Sequence, residues 1–160
     1  MPIGIDASRA VTSQRTGTEN YSLHLIRALI RVSGRHRFRL YFRKEPLPGL
    51  FPRDDRVEWR CLPFVRLWSH VRLSWEMACH SPDVLFVPSH VLPIVHPRRC
   101  VATVHDLGYL YYPEAHGCWA RRYLDWGTRH NARASSIVIA DSRATRDDLV
   151  HHYGVPAQKV

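Results

Sequence analysis

Lysine is almost absent from this sequence: of 23 cationic side chains, only Lys44 and Lys159 are lysines. The arginines are spread through every segment, so there is no basic run of the kind that forms a binding tail. No apolar run approaches the roughly 20 residues of a membrane-spanning helix. Residues 1–6 hold no basic segment leading into an apolar stretch. No secretory signal is therefore visible, and the expected location is the cytoplasm. Cys61, Cys79, Cys100 and Cys118 form no C-x-x-C pair and are expected as free thiols. There are eleven histidines, but no H-E-x-x-H and no Cys/His zinc spacing. The neighbours His151 and His152 diverge on a helix, so no metal site is expected. G-x-G-x-x-G, Walker A and G-x-S-x-G are missing as well.

What is present is an ordinary globular composition. The 160 residues are 45% apolar and 23% charged, which fits one domain over 1–160 and excludes disorder and coiled coil. The net charge is +9. A surface this basic attracts nucleic acid, an anionic membrane or a phosphorylated small molecule, and guanidinium suits bidentate phosphate or carboxylate recognition. Such a charge can equally reflect arginine-rich composition with no partner behind it.

Periodicity divides the chain into alternating elements. Residues 3–5, 84–87, 100–104 and 136–140 are short continuous apolar runs, as strands buried on both faces require. Phe38, Leu40 and Phe42 alternate with arginines, and Val57, Trp59 and Cys61 alternate with Glu58 and Arg60. Both read as half-exposed strands. Cys61 and Cys100, inside strands, are expected to act as small core residues. Helical spacing runs from Glu19 to Ser33, from Leu67 to His80 and from Cys118 to Ala134. In the second helix Leu67, Val71, Trp75 and Ala78 share a face. In the third, Trp119, Tyr123, Trp126 and His130 do. A last helix starts at Ser142, a good N-cap, and stops at Gly154 and Pro156. Interleaved strands and helices predict a Rossmann-like three-layer α/β/α domain with a mostly parallel sheet.

In such sheets ligands bind beyond the carboxyl ends of the strands. The apolar strands are followed by Asp6-Ala7-Ser8, Pro88-Ser89-His90, His105-Asp106 and Asp141-Ser142. Asp6, His90, His105 and Ser142 are therefore expected along one rim. Asp141 and Ser142 can be explained as helix caps alone. His105-Asp106 is harder to explain that way, because no helix is predicted to start directly after it. A Ser89–His105–Asp106 triad is set aside, since neighbours on one loop rarely point at each other. In the loop before the first helix, Gly17 would allow close backbone approach to a ligand, and the free N–H groups there favour an anion.

Four segments together resemble a known family. They are Thr16-Gly17-Thr18-Glu19-Asn20-Tyr21 with Leu25 to Leu29; Asp83 to His90; Thr103-Val104-His105-Asp106-Leu107 with Tyr112-Pro113-Glu114; and Ile137 to Ser142 with Thr145 to Leu149 and Tyr153-Gly154-Val155-Pro156. In this order they resemble the N-terminal, acceptor-side domain of retaining GT-B glycosyltransferases of family GT4 (group 1). The resemblance covers essentially the whole chain. It implies the N-terminal half of a GT-B fold, with the C-terminal nucleotide-sugar domain absent from this chain and no turnover without it. The implied reaction moves a sugar from a nucleotide-diphosphate sugar to a glycan or lipid-linked acceptor, as in polysaccharide biosynthesis, with no metal cofactor. His105 is the implied reaction-centre residue, with Asp106 orienting its loop. Gly17, Thr18, Glu19, Asn20, His90, Tyr109, Ser142 and Arg143 are the implied substrate contacts. Thr18-Glu19-Asn20 stands where many relatives have a second glycine, and Arg143 where an acidic residue is common.

The alternative is a basic α/β module for nucleic acid or an anionic membrane surface. The glycosyltransferase resemblance carries no expectation of nucleic acid. It does allow a peripheral contact at the inner face of the membrane, because residues 64–75 mix aromatics and arginines as interfacial helices do. The competing expectation for that stretch is a helix packed on the sheet, its stripe forming core.

Overall fold

The computed structural model describes residues 2–12, 15–52, 54–89 and 91–160. Six strands form one sheet: β1 (Pro2–Asp6), β2 (Arg37–Phe42), β3 (Val57–Cys61), β4 (Val84–Val87), β5 (Cys100–Val104) and β6 (Ile137–Ala140). Their order is β3-β2-β1-β4-β5-β6, and every pair is parallel. The chain thus winds outward from β1 to β3, returns to the centre and winds out again from β4 to β6. Strand order reverses between β1 and β4, the point where ligands of such sheets bind.

Alternation along the strands splits the core into two layers. Ile5, Phe38, Leu40, Phe42 and Phe86 pack under α1 (Gly17–Val32) through Leu23, Ile26 and Ile30. On the opposite face, Tyr41, Leu85, Val87 and Ala102 meet Trp68, Leu73 and Met77. Further along that face Val104 and Val138 meet α4 (Cys118–Ala134) and α5 (Arg143–Tyr153) through Ala132 and Leu149. Helices cover both faces, so the domain is Rossmann-like.

Close packing on the second face requires Gly4. A Cβ there would lie 2.8 Å from Pro82 Cγ and 2.9 Å from Tyr41 Cε2. Both neighbours are rings with little freedom to retreat. Gly4→Ala is expected to cost about 1–3 kcal/mol, the usual range for overpacking a core. The shift in the urea midpoint at constant slope would measure it.

Several expectations are corrected here. β6 is an edge strand, so its Ile137 is exposed rather than buried on both faces. Cys61, on the other edge, is exposed, while Cys100 is buried. The helix expected from Leu67 starts later. Leu67 has φ +53°, left-handed backbone that leucine rarely adopts. Residues Ser69–Leu73 then form a π-helical turn, in which the Leu73 N–H donates to the Trp68 carbonyl five residues back, before α2 (Ser74–Cys79) continues. The wider turn shifts the register, because each π turn takes in one residue more than an α turn. Trp68, Leu73, Ser74 and Met77 face the sheet, and the stripe Leu67, Val71, Trp75 and Ala78 faces solvent.

A similar inversion affects α4. Trp119, Tyr123 and Trp126 are exposed, while Gly127, Thr128, Asn131 and Ala132 face inward. This helix lies too close to the loop after β4 for large residues: a Cβ on Gly127 would sit 2.7 Å from Val91 Cγ2. The Asn131 side chain accepts from the Leu92 N–H at 2.8 Å.

Candidate functional site

All strands run the same way, so the residues after β1, β4, β5 and β6 emerge along one edge in the order Asp6, Pro88-Ser89, His105, Asp141-Ser142. His90 lies outside the described residues. The others form two distinct groups.

The first group centres on His105. Its Nδ1 lies 2.5 Å from Asp141 Oδ2, and its Nε2 lies 2.9 Å from the Pro88 carbonyl. The ring is thereby held in one orientation from both sides, by the segments that follow β6 and β4. Three strands thereby meet at one ring. Tyr21 of α1 closes one side of it, edge-on with centroids 4.9 Å apart. The Thr145 hydroxyl of α5 donates to the His105 carbonyl at 3.1 Å. About 17% of the side chain remains accessible.

Asp106 does not touch this ring. Its Oδ1 accepts the Gly108 N–H at 3.0 Å, at the start of the short helix α3 (Gly108–Tyr111). A helix does therefore follow His105 almost directly, contrary to the expectation from sequence. Ser89 bonds Ser22 at 2.8 Å, so it is not the third member of a triad.

The remaining predicted site residues divide by exposure. Gly17 and Asn20 are exposed at the start of α1, with Thr18 half-buried between them. A Cβ on Gly17 would meet nothing within 4 Å, so packing among the described residues does not demand glycine there. Glu19 is buried. It accepts the Thr16 N–H at 3.0 Å and the Thr16 hydroxyl, reaching back as the third residue of a capping box does. The Thr16 hydroxyl bond, with Arg9 nearby, holds its carboxyl below the usual range. Ser142 caps α5, accepting the Thr145 N–H at 3.0 Å, and Arg143 is exposed in the first turn after it. Tyr109 is corrected: it is a core residue, 4% exposed, with its hydroxyl on Thr128 at 2.9 Å and Tyr153 at 2.7 Å. A large aromatic following a buried strand packs inward under α4 more readily than it reaches the rim.

The second group was not read from the sequence. A cavity of about 690 Å³ opens beyond the carboxyl ends of β1, β2 and β3. Its lining includes the cations Arg9, Arg43 and Lys44, the acid Glu45 and the rings of Trp68, His70 and Tyr123. Arg43-Lys44 directly follow β2, so the half-exposed strand's own carboxyl end is the local signal that points to this group. Asp6 anchors the loop on one side of this cavity. Its Oδ1 accepts the Ser8 N–H at 2.9 Å, while Oδ2 is buried with no hydrogen-bond partner among the described residues. Burial pushes the Asp6 carboxyl up to about 6, against the opposing pull of the Ser8 bonds and Arg9.

An all-parallel, doubly wound sheet with ionisable groups along its carboxyl edge has the architecture of α/β domains whose ligand crevice lies at that edge. The family model described as Glycosyltransferase Family 4 matches residues 15–160. The chain belongs to that family, as the four sequence segments led one to expect. No curated protein matches it.

Proposed function

We propose that this domain is the acceptor-side half of a retaining GT-B glycosyltransferase. In this proposal a second domain carries most of the nucleotide-sugar contacts, and the isolated chain does not turn over. The donor is a nucleotide-diphosphate sugar, the acceptor a glycan or lipid-linked glycan, and the location cytoplasmic. Nucleic acid is not among the proposed partners. The observation that carries this is the division of one sheet edge into two chemically different halves. The β4–β6 half presents His105 braced by Asp141, beside the exposed N-terminal turn of α1. The β1–β3 half presents a cavity large enough for a sugar, lined by rings and cations. Two substrates meeting between the halves would react at the switch point.

Within this scheme the open space over Gly17 admits the donor diphosphate to the first N–H groups of α1. His105 lies against the transferred sugar and the departing diphosphate, where a ring dipole fixed in advance stabilises charge that develops during transfer. No metal is assigned a role; arginines and the helix terminus serve the diphosphate. Front-side displacement asks the protein mainly to hold two sugars and stabilise charge, so no paired carboxylates of the hydrolytic kind are needed. The test joins this chain to its donor domain and measures transfer from a panel of nucleotide sugars, wild type against His105→Ala. Transfer that depends on His105 supports the proposal. Transfer by the 160-residue chain alone, or none from any donor, refutes it.

A further inference from the structure

The corrected registers of the π turn with α2 and of α4 leave an unusual surface. Leu67 is 63% exposed, Trp75 67% and Trp119 80%. Three segments contribute. Residues 67–75 supply Leu67, Val71 and Trp75, the loop after β4 supplies Ile94 and Val95, and α4 supplies Trp119, Tyr123 and Trp126. The structure ties them together. The Ser74 hydroxyl accepts the Ile94 N–H at 2.9 Å and the Val95 N–H at 3.3 Å. His70 Nε2 lies 2.9 Å from the Tyr123 hydroxyl, and its ring packs 5.2 Å from that of Trp126. All three send other residues into the same core layer, through Trp68, Leu73, Leu92 and Ala134. The exposed apolar residues therefore share one flank of the sheet.

Charge identifies what covers this flank. Residues 62–80 contain Arg66 and Arg72, with Glu76 the one acid. Residues 91–99 contain Arg98 and Arg99 and no acid. Residues 118–134 contain Arg121, Arg122, Arg129 and Arg133, with Asp125 the one acid. Neither acid is free: Glu76 is buried beside Arg60 and Arg72, and Asp125 bonds Arg129 at 2.9 Å and Tyr153 at 2.9 Å. A second copy of a chain with net charge +9 would be repelled from such a face. A layer of anionic headgroups over acyl chains satisfies both the arginines and the exposed tryptophans and leucine.

We propose that this flank docks the domain on an anionic bilayer surface, with Leu67, Val71 and Trp75 entering the headgroup–acyl boundary. Leu67, His70 and Tyr123 also line the cavity at the β1–β3 edge, so a ligand rooted in the bilayer reaches the cavity from the docked face. Docking does not depend on the sugar-transfer proposal and is tested without turnover.

The test sediments the chain with phosphatidylglycerol–phosphatidylcholine vesicles and with pure phosphatidylcholine. Binding is expected to the anionic vesicles and to weaken strongly in about 1 M salt, where the Debye length is about 3 Å. Leu67→Asn with Trp75→Ser is expected to weaken it at least about tenfold, because two apolar side chains no longer leave water. Asparagine suits the left-handed backbone at 67, so this variant keeps its fold. Arg66→Glu with Arg121→Glu is expected to weaken it by a similar factor or more. Val32→Ser, an exposed apolar position on α1 across the sheet, should bind as wild type. No binding to anionic vesicles overturns the proposal. Equal loss in the Val32 variant, or none in the Leu67/Trp75 variant, does so too.

Discussion

In the joined two-domain enzyme, His105→Ala should lower kcat by about 10²–10³-fold, the order seen when one preorganised electrostatic group is removed from a transition-state site. The KM for donor should change far less, because the ring would act on charge that develops during transfer rather than on ground-state binding. Asp141 gives the complementary test. It sits 2.5 Å from the ring, and in the proposed scheme it acts through that ring as a positioning residue. Asp141→Asn keeps an acceptor for the Nδ1–H but removes the charge, and about a tenfold loss is expected. Asp141→Ala should approach the His105→Ala value. A graded series Asp, Asn, Ala in kcat at constant KM identifies positioning. A merely structural role would lower melting temperature and leave kcat per folded molecule unchanged. Unaltered turnover in His105→Ala would remove this ring from the chemistry altogether.

Asp6→Asn should flatten the pH dependence of stability. Burial raises the Asp6 carboxyl from 3.8 to about 6, so between these values the folded chain holds the proton more tightly than the unfolded chain. Stability from this group is then complete below about pH 4 and is lost as pH rises through 6. Two pKa units correspond to about 3 kcal/mol, at 1.36 kcal/mol per unit. The difference between wild type and Asp6→Asn in urea unfolding should therefore shift by up to about 3 kcal/mol from pH 4 to pH 7, in favour of the variant. Parallel curves across that range would show that Asp6 ionises as freely folded as unfolded. Oδ1 fixes the Ser8 N–H, and with it the loop that walls the cavity, and an amide oxygen at the same place keeps that bond in the variant.

Both experiments rest on groups that were unequally visible in the sequence. His105 stood out because an ionisable pair directly follows an apolar strand. Its partner did not: Asp106 was adjacent, yet the carboxylate that reaches the ring is Asp141, 36 residues away on the neighbouring strand. Parallel pairing of β5 with β6 aligns Val104 with Ala140, which delivers the two loops side by side. The cavity was invisible for a similar reason. Its lining comes from three strand ends and from α4, and no local pattern records that these segments meet.

Sequence alone determined the six strands and the long helices at 17–32, 118–134 and 143–153. Apolar runs, alternation, caps and the stop at Gly154 are local consequences of backbone geometry and side-chain character. They account for the six strands and the parallel class of sheet, while the family rests on the four motif segments and the family-model match. Tertiary structure decided which face of each helix is inside. A helical stripe states that residues share a side and not that the sheet lies on that side. One π-helical turn after Leu67 and one close approach at Gly127 turned two aromatic stripes outward. Only the packed chain contains the distances that force such choices.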